Sequence, residues 1–168
     1  THAHFSQEGN TRILTLDPVT IEFNGLTVKL QTKEYFEEGS SKIKIERNIL
    51  EMSDPDAEVT IDEYMVACYG TTEYPEDMTS VVLKCEGADE KTIHYAYKCR
   101  SEVLAGATAV SAVVPPIDTK VSLTASSTDA EGYIEEGYAF SPMFKLGYKK
   151  QIKDKEVFAT WLNLEKAN

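Results

Sequence analysis

Proton transfer or metal binding by this chain would have to come from His2, His4 and His94, three cysteines, and carboxylates that cluster in short runs. A free terminal amine followed by His2 and His4 offers nitrogen ligands of the kind that suit Cu²⁺ or Ni²⁺. The same residues also read as part of a mobile arm. A hydrolytic triad needs a positioned histidine, and His94, the only histidine in the body of the chain, falls on the polar side of an alternating run with Lys98. No G-x-S-x-G, H-E-x-x-H, G-x-G-x-x-G or G-K-[ST] pattern occurs. Asp62-Glu63 and Glu135-Glu136 are adjacent pairs, and neighbours on a strand point to opposite faces, so neither pair converges on one bond. Nothing in these residues argues for an enzyme, and the expectation is a non-catalytic protein.

The acidic runs are the better candidates for binding. Asp54, Asp56 and Glu58 stand at alternate positions, the spacing of the first oxygen ligands of an EF-hand loop. Val59 replaces the glycine and Met65 the bidentate glutamate of that loop, and the flanks alternate like strands, so an EF-hand is excluded. The expectation is a Ca²⁺ or partner site between loops that joins Asp54, Asp56 and Glu58 to Asp129, Glu131 or Glu135. The alternative is two solvated acidic turns.

The element that fixes the geometry of everything else is Val19–Leu30, in which Asn24-Gly25 separates two runs of strict alternation. A two-residue loop there sets Phe23 opposite Leu26, Ile21 opposite Val28 and Val19 opposite Leu30. All six apolar side chains then share one face, which requires a covering layer. Ser41–Leu50 alternates with Ile43, Ile45 and Ile49 on one side. From Val59 to Tyr69 the parity slips, and a β-bulge at Asp62-Glu63 would restore one buried face. Val81–Cys85 and Thr92–Arg100 read as a second hairpin. Lys120–Ser126 alternates, Asp129–Gly137 reads as an acidic loop, and Tyr138–Tyr148 is a strand interrupted at Pro142. In the last stretch Val157, Trp161 and Leu164 fit a helix face, while Phe158, Leu162 and Leu164 fit a strand; the expectation is a terminal strand.

These elements predict an all-β protein: an antiparallel β-sandwich of about eight to ten short strands with little or no helix. Residues 1–11 are expected to form a flexible N-terminal arm and residues 12–168 a single β-sandwich domain. No apolar run approaches the length of a membrane helix, so no membrane insertion is expected. A net charge of −11 argues against nucleic acid and favours a cation or a basic protein partner. Cys68, Cys85 and Cys99 are too few for a disulfide framework and read as free buried thiols, with one disulfide and one free thiol as the alternative. The functional expectation is a binding module, secreted or extracellular, that engages a basic protein, a cation or a glycan through acidic and tyrosine-bearing loops. The alternative is a self-assembling structural subunit, of an extracellular filament or a virion, joined by strand edges or the arm. Phe144-Lys145-Leu146-Gly147-Tyr148-Lys149, followed by Trp161-Leu162, resembles a strand pair of long-tailed phage major tail proteins, which implies a virion tube subunit within that alternative.

Overall fold

The computed structural model describes residues 2–68, 81–85, 91–93, 101–107, 109–114, 118–126, 130–136 and 143–166. Asn24 and Gly25 take φ of 49° and 79°, the left-handed pair that a two-residue hairpin turn needs. They join β3 (Val19–Phe23) to β4 (Leu26–Glu37) in the register expected from the sequence, Ile21 opposite Val28. The twelve-residue β4 is shared along one edge. Its first half pairs with β3 and its second half with β2 (Thr11–Leu16). Asp17-Pro18 divides β2 from β3, since proline cannot donate to the ladder. The segment expected as a flexible arm instead forms β1 (Ala3–Glu8), paired with β2 from Ala3↔Leu16 to Glu8↔Thr11. Backbone hydrogen bonds to the edge of β2 hold it, and these need no apolar alternation in the added strand.

The remaining strands are β5 (Lys42–Met52), β6 (Val59–Cys68), β7 (Val81–Cys85), β8 (Lys91–Ile93) and β9 (Ser101–Ala107). They continue with β10 (Ala109–Val114), β11 (Thr119–Ala125), β12 (Glu131–Glu136), β13 (Met143–Ile152) and β14 (Val157–Lys166). All pairings are antiparallel, and no helix occurs among the described residues. The fourteen strands among the described residues exceed the expected number, and three departures account for most of the excess. The N-terminal segment adds a strand, and the run 105–114 is divided between β9 and β10, which lie in different sheets. The acidic run after Asp129 is the strand β12 rather than a loop.

One sheet has ten strands in the order β1-β2-β4-β5-β14-β11-β10-β7-β8, with β3 beside β4; the other has four, β6-β13-β12-β9. They face each other across a core of Val28, Ile49 and Met52 with Val59, Ile152 and Phe158. A register shift between Lys29 and Leu30 leaves Leu50 as the extra residue of β5, which puts Ile49 and Met52 on one face despite their odd spacing. The bulge expected at Asp62-Glu63 is absent. β6 pairs with β13 without a slip from Val59↔Ile152 to Cys68↔Met143. The parity changes because Glu63, a charged residue, takes an inward position after Val59 and Ile61, leaving Tyr64 49% exposed.

Candidate binding cleft

At the edge of the smaller sheet, β6 lies over β4 and β5 of the larger one and encloses a cleft of about 360 Å³. Leu30, Ile49 and Ile61 supply its apolar lining, and Thr32, Arg47, Asp62, Glu63 and Tyr64 its polar lining. Arg47 and Glu63 couple the two sheets across it. Arg47 Nε donates to Glu63 Oε2 at 3.2 Å, and Nη1 donates to Thr32 Oγ1 at 2.7 Å. The other carboxylate oxygen, Glu63 Oε1, accepts from Thr160 Oγ1 at 2.7 Å. Thr160 is fully buried, while the Arg47 and Glu63 side chains keep 25% and 11% of their surface exposed. The ion pair is therefore anchored from below and open to solvent from the cleft. Fixed partners on both groups limit their rotamers, which is what a preorganised polar site requires.

Behind the cleft, Lys150 stands opposite Ile61 in register and is 1% exposed. Its Nζ lies 2.8 Å from Glu156 Oε1, donates to the Gln151 carbonyl at 2.8 Å, and sits 5.9 Å from the Phe158 ring centroid. Nearby, the buried Tyr148 hydroxyl donates to the Leu123 carbonyl at 2.9 Å. A charge this deep is tolerated only with partners, and it has them.

The residues singled out in the sequence lie elsewhere. Asp54, Asp56 and Glu58 are exposed between β5 and β6. There Asp54 Oδ1 accepts from the Asp56 N–H at 3.1 Å, and the Asp54 carbonyl accepts from Ala57 N at 3.2 Å, a local turn. Glu131 and Glu135 lie on β12, opposite Lys149 and Lys145 of β13. Lys149 in turn stands opposite Asp62, so Glu131 is two strands across from β6 and is not adjacent to the 54–58 turn. Asp129 and His94 lie outside the described residues, as do Cys99 and the connections 69–80 and 86–90. Cys68 ends β6 and Cys85 ends β7. His2 and His4 are exposed, and His4 Nε2 is 3.1 Å from Asp17 Oδ1. Among the described residues no three histidine, cysteine or acidic side chains group as a metal site.

Arg47 and Glu63 were legible as single anomalies. Each interrupts an apolar row at strand spacing, Ile43, Ile45, Arg47, Ile49 and Val59, Ile61, Glu63. Two opposite charges on inward faces of neighbouring strand segments are a signal for a paired site.

No protein-family model and no curated protein matches the chain. Solved structures do share its fold. The Slr1438 protein of Synechocystis sp. PCC 6803 superposes with a TM-score of 0.59 at 8% identity, over 97% of this chain and 65% of that one. A proposed aldose 1-epimerase of Escherichia coli superposes with a TM-score of 0.52 at 10% identity, over 99% of this chain and 69% of that one. The chain thus spans less than two thirds of the Synechocystis protein. At these identities the likeness establishes a common β architecture.

Proposed function

We propose that this chain is a non-catalytic binding module whose inter-sheet cleft takes a neutral saccharide. The observation that carries the reading is the Arg47–Glu63 pair, held from below by Thr32 and Thr160 and bordered by the apolar side chains of Leu30, Ile49 and Ile61. A sugar ring offers hydroxyls that both donate and accept, together with apolar C–H faces. A carboxylate accepts from such hydroxyls, and the guanidinium N–H groups not used by Thr32 and Glu63 donate to them. The cleft volume, about 360 Å³, lies at the low end of small-ligand sites, which run from ~300 to ~1,000 Å³. Glu63 already balances the charge of Arg47 in the lining, which leaves no surplus positive charge to favour an acidic sugar. Both Glu63 oxygens already accept hydrogen bonds, an arrangement suited to holding a ligand rather than shuttling a proton. The shared fold with a proposed aldose 1-epimerase agrees with a sugar ligand.

The test is a methyl-resolved NMR titration with neutral mono- and disaccharides, paired with polarimetry of a freshly dissolved aldose. The expected result is shifts confined to Leu30, Ile49 and Ile61, lost in Arg47→Ala, with mutarotation at its uncatalysed rate. Absence of shifts across the whole panel would remove the cleft as a saccharide site. Faster mutarotation would replace binding by catalysis.

A further inference from the structure

The five residues of β3 are all exposed, yet three are large and apolar: Val19, Ile21 and Phe23 at 36%, 47% and 41%. Among the described residues β3 pairs with β4 alone. Native proteins usually blunt such an edge with lysine, proline or a bulge inside the strand. β3 has none of these between Pro18 and Asn24. In a two-residue hairpin the pair flanking the turn exchanges hydrogen bonds, and bonded pairs then alternate. Phe23, Ile21 and Val19 are therefore bonded to β4, and the N–H and C=O of Thr20 and Glu22 point away from it. Thr27, opposite Glu22, fits this phase, since its N–H and C=O are taken on the β5 side by Ser53.

The geometry points to the edge of β3 that no described residue pairs as a docking strand for an extended peptide segment of a partner protein that alternates apolar and basic residues. Laid antiparallel to β3, such a segment places its apolar side chains opposite Val19, Ile21 and Phe23 and its basic ones opposite Thr20 and Glu22. Main-chain bonds to Thr20 and Glu22 supply affinity, and the alternation supplies specificity. Charge selects the occupant: a chain carrying −11 repels a second copy of itself and attracts a cationic segment. No β3 residue lines the saccharide cleft, although Val19 stands opposite Leu30 of its lining, and the docking edge stands whether or not that reading does.

The test uses a fluorescein-labelled, capped pentapeptide of alternating valine and lysine, with the valine–glutamate peptide as control. Fluorescence anisotropy is combined with amide hydrogen exchange on the full chain. Binding of the lysine peptide alone, with new protection at Thr20 and Glu22, is expected. Thr20→Pro, which removes an outward N–H that the hairpin does not use, should weaken it about tenfold. Glu22→Lys should reverse the preference between the two peptides. Lysine-peptide binding that Thr20→Pro leaves unchanged would overturn the proposal in favour of diffuse attraction to an acidic surface. Absence of binding would overturn it as well. Self-association abolished by Thr20→Pro would overturn it in favour of a second copy, the structural-subunit alternative.

Discussion

β3 and β4 carry the same alternation and share one turn, but they live in different environments. On β4, Val28 is 2% exposed; directly opposite in register, Ile21 of β3 is 47% exposed. Both point to the face of the large sheet that looks toward the small one. The difference is where the cover ends. Among the described residues β6 is the last strand of the small sheet, and the cleft beneath it is lined from β4 and β5 and by no residue of β3. Alternation decides which side chains share a face; the partner layer alone decides whether that face is dry.

The largest expected effect sharpens this contrast with one residue type on one sheet face. Ile49, fully buried against Phe158 and Ile152, should lose about 2–5 kcal/mol on truncation to alanine. Ile21→Ala should stay within about 0.5 kcal/mol, the range of ordinary surface changes. Urea unfolding of both variants measures the pair. Comparable losses would mean that β3 is covered in solution, as it would be by a bound strand.

Next in size is the charged pair at the boundary between covered and uncovered sheet. Glu63→Ala deprives the fully buried Thr160 hydroxyl of its acceptor and leaves Arg47 with Thr32 and solvent. The expected cost is about 1–3 kcal/mol, that of an unsatisfied buried donor. Arg47 keeps 25% of its side chain exposed, so the loss stays below that of a fully buried ion pair. Glu63→Gln retains an oxygen for Thr160 and should fall between wild type and alanine. Chemical denaturation of the two variants ranks them, and an alanine variant as stable as wild type would show that the pair serves only the ligand.

How much of this was readable in the residues follows from what is local. Asn24-Gly25 fixed the hairpin register because a two-residue turn admits one pairing, and the structure has that pairing. The all-β class followed from repeated period-two runs for the same reason. The exposure of Val19, Ile21 and Phe23 was not readable, because it depends on the lateral reach of β6, forty residues or so further along the chain. The ion pair was half readable. Arg47 and Glu63 each break an apolar row, but their meeting is a sheet-on-sheet contact, and the parity slip at Glu63 was more simply read as a bulge. Acidic clusters such as Asp54, Asp56 and Glu58 drew notice because clustering is visible in one dimension. Convergence is not, and in the structure Asp54 serves its own turn.

The smallest expected effect tests the other face of β4, where polar side chains rather than a second sheet surround the strand. Tyr35 donates its hydroxyl to Glu46 Oε1 at 3.2 Å, with Lys44 Nζ 3.0 Å from Glu46 Oε2 and 4.7 Å from the Tyr35 ring centroid. Partial burial raises the pKa of the phenol above 10.0, and the charge and hydrogen bond of Glu46 push the same way, with Glu8 adding to it. The folded chain thus holds this proton more tightly than the unfolded one. Its contribution is complete below the unfolded value, about 10, and is lost as pH rises from there through the higher folded value. All nine tyrosines contribute to any alkaline unfolding, so the informative quantity is the difference between wild type and Tyr35→Phe. Near neutral pH the variant should be slightly less stable, by about 0.5–1.5 kcal/mol for one hydrogen bond. Above about pH 10 the gap should narrow, because phenylalanine has no proton to lose. Urea midpoints across that range measure it, and two curves that stay parallel would show that the folded chain does not hold the Tyr35 proton more tightly than the unfolded one.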